Sequence, residues 1–209
     1  MRRKHAMPFG AELLDDGRVR FRLWAPKAKR VDLCLEQGKI GGALVKHDGG
    51  WFEFIASAVP AGTRYMFQID DGQAVPDPAS RFQPEDVHGP SEVVEPSAFE
   101  WQDDDWTGMD WNEAVIYELH VGTFTPEGTF DGVESKLDYL RDLGVTAIEL
   151  MPLSDFPGKR NWGYDGVLSY APDSSYGSPE DLKRLVQAAH SRELMIFLDV
   201  VYNHFGPDG

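Results

Sequence analysis

The hydrophobic pattern of this chain changes its period halfway along, and one layer built from one kind of element cannot satisfy both halves. Residues 18–24 alternate strictly, with Val19, Phe21 and Leu23 on one face and Arg18, Arg20 and Arg22 on the other. Val31, Leu33 and Leu35 repeat that spacing, and residues 52–55 and 65–69 continue it. The turn sequences Asp48-Gly49-Gly50, Pro60-Ala61-Gly62 and Asp70-Asp71-Gly72 part these runs. Short alternating strands with such turns between them predict a small antiparallel, immunoglobulin-like β-sandwich. Trp24 and Trp51 have faces suited to a sugar ring, but packing in a core or against a neighbouring domain is their expected role.

From about residue 77 to about residue 112 no period survives. The stretch is rich in Pro, Asp and Glu, and Trp101, Trp106 and Trp111 punctuate it, which predicts a surface linker pinned by its tryptophans. Beyond it the period lengthens. Residues 115–119 read as a strand of the buried type, and Thr129 as the N-cap of a helix carrying Val133, Leu137 and Leu140, closed by Gly144. Residues 145–151 form the next strand. Ser178-Pro179-Glu180-Asp181 supplies an N-cap, a proline at the first helical position and acids in the first turn, ahead of an apolar stripe of Leu182, Leu185, Val186 and Ala189. Residues 195–201 are nearly continuous in apolar side chains, as a parallel strand covered on both faces would be.

Strand, helix, strand, helix, strand is a βαβαβ unit, compatible with an open sheet or with a barrel. The barrel is favoured because polar residues gather where each strand ends: Glu118 and His120, then Glu149, then Asp199, Asn203 and His204. That is the rim at which (β/α)8 enzymes keep their chemistry. No Gly-rich phosphate turn follows the first strand, which speaks against a nucleotide. The expected division is a sandwich over residues 1–95, a linker over 96–112 and the first three barrel strands over 113–209.

Composition narrows the partners. The 209 residues are 42% hydrophobic, so a core is expected, and 20 basic against 35 acidic residues give a formal charge of −15. Nucleic acid and anionic membranes require clustered Lys and Arg, and neither is an expected partner. Cys34 is the single cysteine, set among Val31, Leu33 and Leu35 as a strand residue, so no intrachain disulfide or Cys-rich metal site is possible. Residues 1–5 are basic but no apolar run of signal length follows, and the cytoplasm is the expected location.

Two segments carry a resemblance. Asp199-Val200-Val201-Tyr202-Asn203-His204 matches the first signature region of the α-amylase superfamily, glycoside hydrolase family 13. Asn161-Trp162-Gly163-Tyr164-Asp165-Gly166 resembles its Gly-Tyr-Asp element, in the right order on the right elements. Phe9-Gly10-Ala11, the run from Pro76 to Pro84, Val87-His88-Gly89-Pro90-Ser91, Tyr117-Glu118-Leu119-His120 and the closing Asn203-His204-Phe205-Gly206-Pro207 look most like the malto-oligosyltrehalose trehalohydrolase branch. Glycogen branching enzymes usually carry Trp-Val-Pro where Val200-Val201-Tyr202 stands, which speaks against branching and less firmly against debranching; another enzyme of the superfamily, of debranching or branching type, is the alternative.

The resemblance implies an α-1,4-glucosidase acting beside the trehalose end of a maltooligosyltrehalose. The mechanism is retaining, with two carboxyl groups about 5 Å apart and a glycosyl-enzyme intermediate. It implies that Tyr164 stacks on the sugar at the cleavage point and that His204 donates a hydrogen bond to a hydroxyl of that sugar. Asp199 would be a buried carboxylate orienting the machinery, paired with an arginine on a later strand. Asp165 and Asn203 would support the loop and strand end, and His120 either reaches the rim or merely ends its strand. Asparagine at the Asn203 position binds calcium in some amylases, but calcium needs six to eight oxygens and the others are not recognisable, so no metal and no cofactor are expected. The reacting carboxylates correspond to nothing within residues 1–209. A whole barrel takes about 250 residues, so the barrel is expected to be truncated at residue 209 and the chain alone to be inactive and poorly stable. A non-catalytic glucan-binding remnant is the alternative from another class, and the oligomeric state is not legible.

Overall fold

The computed structural model describes residues 6–35 and 39–208. Its first half contains β1 (Gly10–Leu13), β2 (Val19–Trp24), β3 (Val31–Leu35), β4 (Lys39–Ala43), β5 (Val45–Lys46), β6 (Trp51–Ala56), β7 (Arg64–Ile69), β8 (Ala74–Val75) and β9 (Ser91–Glu92). These pair antiparallel into two sheets, β1-β2-β6-β5 and β4-β3-β7-β8, with β9 added to β7. The alternation seen in the sequence is what closes them into a sandwich. Val19, Phe21 and Phe52 from one sheet and Val31, Leu33, Tyr65 and Phe67 from the other fill one core, each 2% exposed or less. Burying a side chain of this size stabilises the fold by roughly 1.5–3 kcal/mol.

Trp24 lies outside the core. It lies in register with Trp51 on the outer face of its sheet and is 59% exposed, its indole N–H donating to the Gly49 carbonyl. It follows Leu23, an inward residue, and the pleat therefore turns it outward. Trp51 does pack: Phe9 stacks on it with centroids 6.3 Å apart, and the Arg22 guanidinium lies 4.5 Å from its ring.

The tryptophans of the aperiodic stretch behave differently from one another. Trp106 stacks on His190 at 4.7 Å, and the His190 Nδ1–H donates to Asp103 at 2.8 Å, so this part of the stretch is fastened down. Trp111 is 68% exposed but meets Phe197 of β14 with ring centroids 6.0 Å apart.

The second half contains β10 (Ile116–Leu119), α1 (Val121–Phe124), α2 (Phe130–Glu134), α3 (Leu137–Leu143), β11 (Ala147–Leu150), β12 (Ser154–Asp155), β13 (Leu168–Pro172), α4 (Pro179–His190) and β14 (Met195–Leu198). β10, β11 and β14 form a parallel sheet in that order, with Leu119, Leu150 and Leu198 level with one another. Only β11 is covered as a buried strand. Ile116 and Tyr117 on β10 and Leu198 on β14 are 38–51% exposed, because among the described residues each of these strands pairs on one side only. The helix expected from Thr129 to Gly144 is two pieces. Thr129 caps the first, its Oγ1 accepting from the Gly132 amide, and Gly144 ends the second at φ 96°. Between them the Ser135 hydroxyl bonds back to the Gly132 carbonyl and Lys136 leaves helical geometry at ψ 1°. The apolar stripe survives the break: Val133, Leu137 and Leu140 all reach the core against β11 and α4.

Candidate active-site rim

Because the three strands run level, their carboxyl ends deliver His120, Met151 and Asp199 to one edge. The Met151 amide donates to the Leu119 carbonyl and the Asp199 amide to the Leu150 carbonyl, each at 3.0 Å. One face of the sheet packs on the helices through Leu119, Ile148 and Leu150. The pleat sends Glu118, Glu149 and Phe197, which share a register row, to the opposite face together with Asp199. A second hollow, between the Trp106 strap and the carboxyl end of α4, has a similar volume. It lies at the far end of the strands, since α4 feeds the start of β14.

The loop between β12 and β13 folds over this rim. Asn161 organises it: its Oδ1 accepts from the Gly163 amide at 2.7 Å and the Asp165 amide at 3.4 Å, while its Nδ2 donates to Asp165 Oδ2 at 3.3 Å. A side chain amide that bonds its own backbone two residues on forms an Asx turn. Gly163, at φ 95°, lets the turn press against Pro152. The His120 Nε2–H donates to the Asn161 carbonyl at 2.6 Å, which ties the end of β10 to the loop. His120 also lines a cleft of about 790 Å³ with Thr123, Met151, Lys159 and Trp162.

Tyr164 leaves this turn with its hydroxyl donating to Asp199 Oδ2 at 3.1 Å. That bond, then burial and the nearby carboxylates of Asp199, Glu118 and Glu149, raise the hydroxyl above the ordinary phenol range, so it stays a donor. The His204 Nε2–H donates to the Tyr164 carbonyl at 2.8 Å, and the Gly206 amide donates to Gly166, so the segment after β14 is stitched to the same loop. Tyr164, Asp199 and His204 are thus one bonded set, with Asp165 and His120 joined to it through Asn161. Asn203 is exposed and stands apart from these bonds. Asp199 is half-buried, short of the full burial expected of it, with Tyr164 as its partner. Asn161 is the residue that sequence reasoning left without a role, although its position two before a glycine is the signal of an Asx turn. Among the described residues no group of three or more His, Cys, Asp or Glu forms a metal cage.

A sandwich joined to parallel strands with this rim is the front of an amylase-type architecture, and family models agree. The model for the alpha amylase catalytic domain matches residues 81–208, and that for carbohydrate-binding module 48, the isoamylase N-terminal domain, matches residues 8–83. The chain belongs to the α-amylase family. Among named relatives, the malto-oligosyltrehalose trehalohydrolase of Saccharolobus solfataricus is 51% identical over 97% of this chain and 36% of its own length. That of Deinococcus radiodurans is 50% identical over 91% of this chain and 31% of its own. A crystal structure described as an alpha amylase from Salmonella typhimurium superposes with a TM-score of 0.94 at 50% identity, over 97% of this chain and 34% of that one. The chain therefore spans about a third of the length of the proteins it matches.

Proposed function

We propose that this chain is the amino-terminal portion of a retaining glycoside hydrolase that cuts the α-1,4-glucosidic bond next to the trehalose end of a maltooligosyltrehalose and releases trehalose. The observation that carries the reading is the bonded set of Tyr164, Asp199 and His204 at the carboxyl ends of parallel strands. The choice of substrate is supported by the 51% identity to a protein of that name. In this reading the open face of Tyr164 receives the apolar side of a glucose ring and favours the positive charge that develops at the anomeric carbon. The Asp199 bond fixes the angle of that ring. The second nitrogen of His204, free of the bond to Tyr164, hydrogen-bonds a sugar hydroxyl. The attacking carboxylate and the proton-donating carboxylic acid are assigned to none of residues 1–209, and the proposed division remains a sandwich over 1–95, a linker over 96–112 and barrel strands over 113–209.

The test is product analysis of the whole protein that carries this chain, given maltooligosyltrehalose and, separately, branched glycogen. Trehalose from the first is the expected product, and Tyr164→Ala is expected to reduce its release by about 100-fold or more, the scale of lost transition-state contacts. Action on branched glycogen without trehalose release would replace this reading with a debranching one. The 209-residue chain alone is expected to release no trehalose.

A further inference from the structure

Beneath the Tyr164 loop lies a buried acid that the rim does not use. Asp155, at the end of β12, is 1% exposed, and neither of its carboxyl oxygens has a hydrogen-bond partner. The Ser174 amide acts on it weakly without meeting hydrogen-bond geometry. Asp173, just past the end of β13, is 2% exposed and well supplied: it accepts from the Ser175 amide at 2.9 Å, the Ser175 hydroxyl and the Phe156 amide at 3.2 Å. The Phe156 amide belongs to the residue next to Asp155, so the two carboxyl groups flank one short stretch of backbone. An ionised carboxylate with no donors, out of water and beside a second carboxylate, is disfavoured twice over. Of two such groups, the one without donors is the one that keeps its proton.

We propose that Asp155 keeps its proton in the folded chain, in the neighbourhood of the Asp173 carboxylate, and that this buried acid is a latch whose grip on the Tyr164 loop weakens as the pH rises. The backbone places the latch at the loop's root. The Val167 amide donates to the Asp155 carbonyl and the Asp173 amide to the Leu153 carbonyl, so β12 and β13 close the loop that carries Asn161 and Tyr164. The charges that face the pair are of the same sign: Asp86 reaches in from the sandwich side, its Oδ2 accepting from the Gly158 amide at 3.0 Å, and it acts against ionisation of both acids. Tyr176 packs alongside and meets His120; burial, then Asp173, hold its hydroxyl far above the ordinary range, so it gives the pair no charge of its own.

Burial, then Asp173, push the Asp155 carboxyl up to about 8, and burial raises Asp173 also. A raised folded-state value favours the neutral form. The stabilising contribution is therefore whole below the ordinary aspartate range, shrinks as the pH climbs, and is gone above about 8. The proposal concerns this chain's fold and stands apart from the reaction assigned to it.

Hydrogen exchange of the loop amides over residues 156–167, corrected for the intrinsic pH dependence of exchange, tests it in the whole protein that carries this chain. Protection is expected to fall by about tenfold per pH unit up to the midpoint and then level off, the slope of one linked proton. Asp155→Asn, which has no proton to lose, is expected to remove that slope. A flat profile in the unmodified protein, or an unchanged slope in Asp155→Asn, overturns the latch. Disappearance of the slope on adding calcium or magnesium chloride also overturns it, since a cation would then be the neutralising partner. If Asp155→Asn does not fold, carboxyl-carbon NMR of the unmodified protein decides: a midpoint near 8 for Asp155 sustains the latch and one in the ordinary aspartate range defeats it.

Discussion

A side chain added at residue 163 would meet the Pro152 carbonyl oxygen at 2.3 Å, whereas one added at residue 158 would meet nothing within 4 Å. Both glycines hold left-handed backbone, at φ 95° and 86°. Alanine at either site carries the left-handed penalty of about 1–2 kcal/mol, so the pair isolates the cost of close approach. Gly158→Ala is expected to lower stability by that amount alone. Gly163→Ala adds a backbone clash, bringing the total to roughly 3 kcal/mol or more, and it pushes Tyr164 out of reach of Asp199. Denaturant melts of both variants check the difference, and equal midpoints would mean that the loop gives way without cost. This scale is also where sequence reading went furthest toward the site. Tyr164, Asp199 and His204 were visible as residue types in a known order, and the structure brings them together. Which bonds join them was not visible, because the Asp199–Tyr164 and His204–Tyr164 contacts cross 35 and 40 residues of chain. Asp155 left no trace at all, since an acid in a loop reads as solvated until a fold buries it.

At the scale of elements, local chemistry was the better guide. Ser178 was identified as an N-cap, and it takes part in a full capping box. Its hydroxyl meets the Asp181 amide at 3.2 Å, and its own amide donates to Asp181 Oδ2 at 2.8 Å. Ser178→Ala is expected to cost about 1 kcal/mol, up to 2, while Ser191→Ala at the other end of α4, on an exposed hydroxyl, is expected to stay within about 0.5 kcal/mol. Thermal midpoints of the two variants give the comparison, and parity between them would remove the cap from the account of why α4 starts at Pro179. What propensity could not show is continuity. The stripe of Val133, Leu137 and Leu140 fits one helix, yet Ser135 ends the first piece by bonding to the Gly132 carbonyl, a competition between side chain and backbone that periodicity ignores. Nor could apolar content tell a central strand from an edge. The runs at β10 and β14 are as hydrophobic as β11, but pairing partners decide burial, and among the described residues only β11 has two.

Across the whole molecule one small aromatic junction ties the sandwich directly to β13. Phe9 from the sandwich stacks on Trp51 and meets Tyr170 of β13 at 5.6 Å; Arg81 lies over Tyr170 at 5.2 Å and donates to the Phe9 carbonyl at 3.1 Å. Asp86, reaching the Gly158 amide, is a second tie from the same side. Each half has its own buried cluster, so cooperativity between them rests on such contacts and on the ties of the aperiodic stretch to α4. Tyr170 is 52% exposed, which means its replacement removes contact with Phe9 and Arg81 without opening either core. An aromatic pair and a cation over a ring contribute roughly 0.5–1.5 kcal/mol each. Losing both weakens the coupling by about 1–3 kcal/mol, a sizeable share of the stability of a domain. Calorimetry of the chain is therefore expected to show one transition that splits into two in Tyr170→Ala, the sandwich and the parallel-strand region melting apart. Arg81→Ala combined with Tyr170→Ala should cost less than the sum of the single changes, because the two residues share a contact. Strict additivity, with one transition preserved throughout, would show that the halves are coupled elsewhere. The aperiodic stretch that fastens Trp106 onto His190 would then be the element to examine, since it runs from one half to the other.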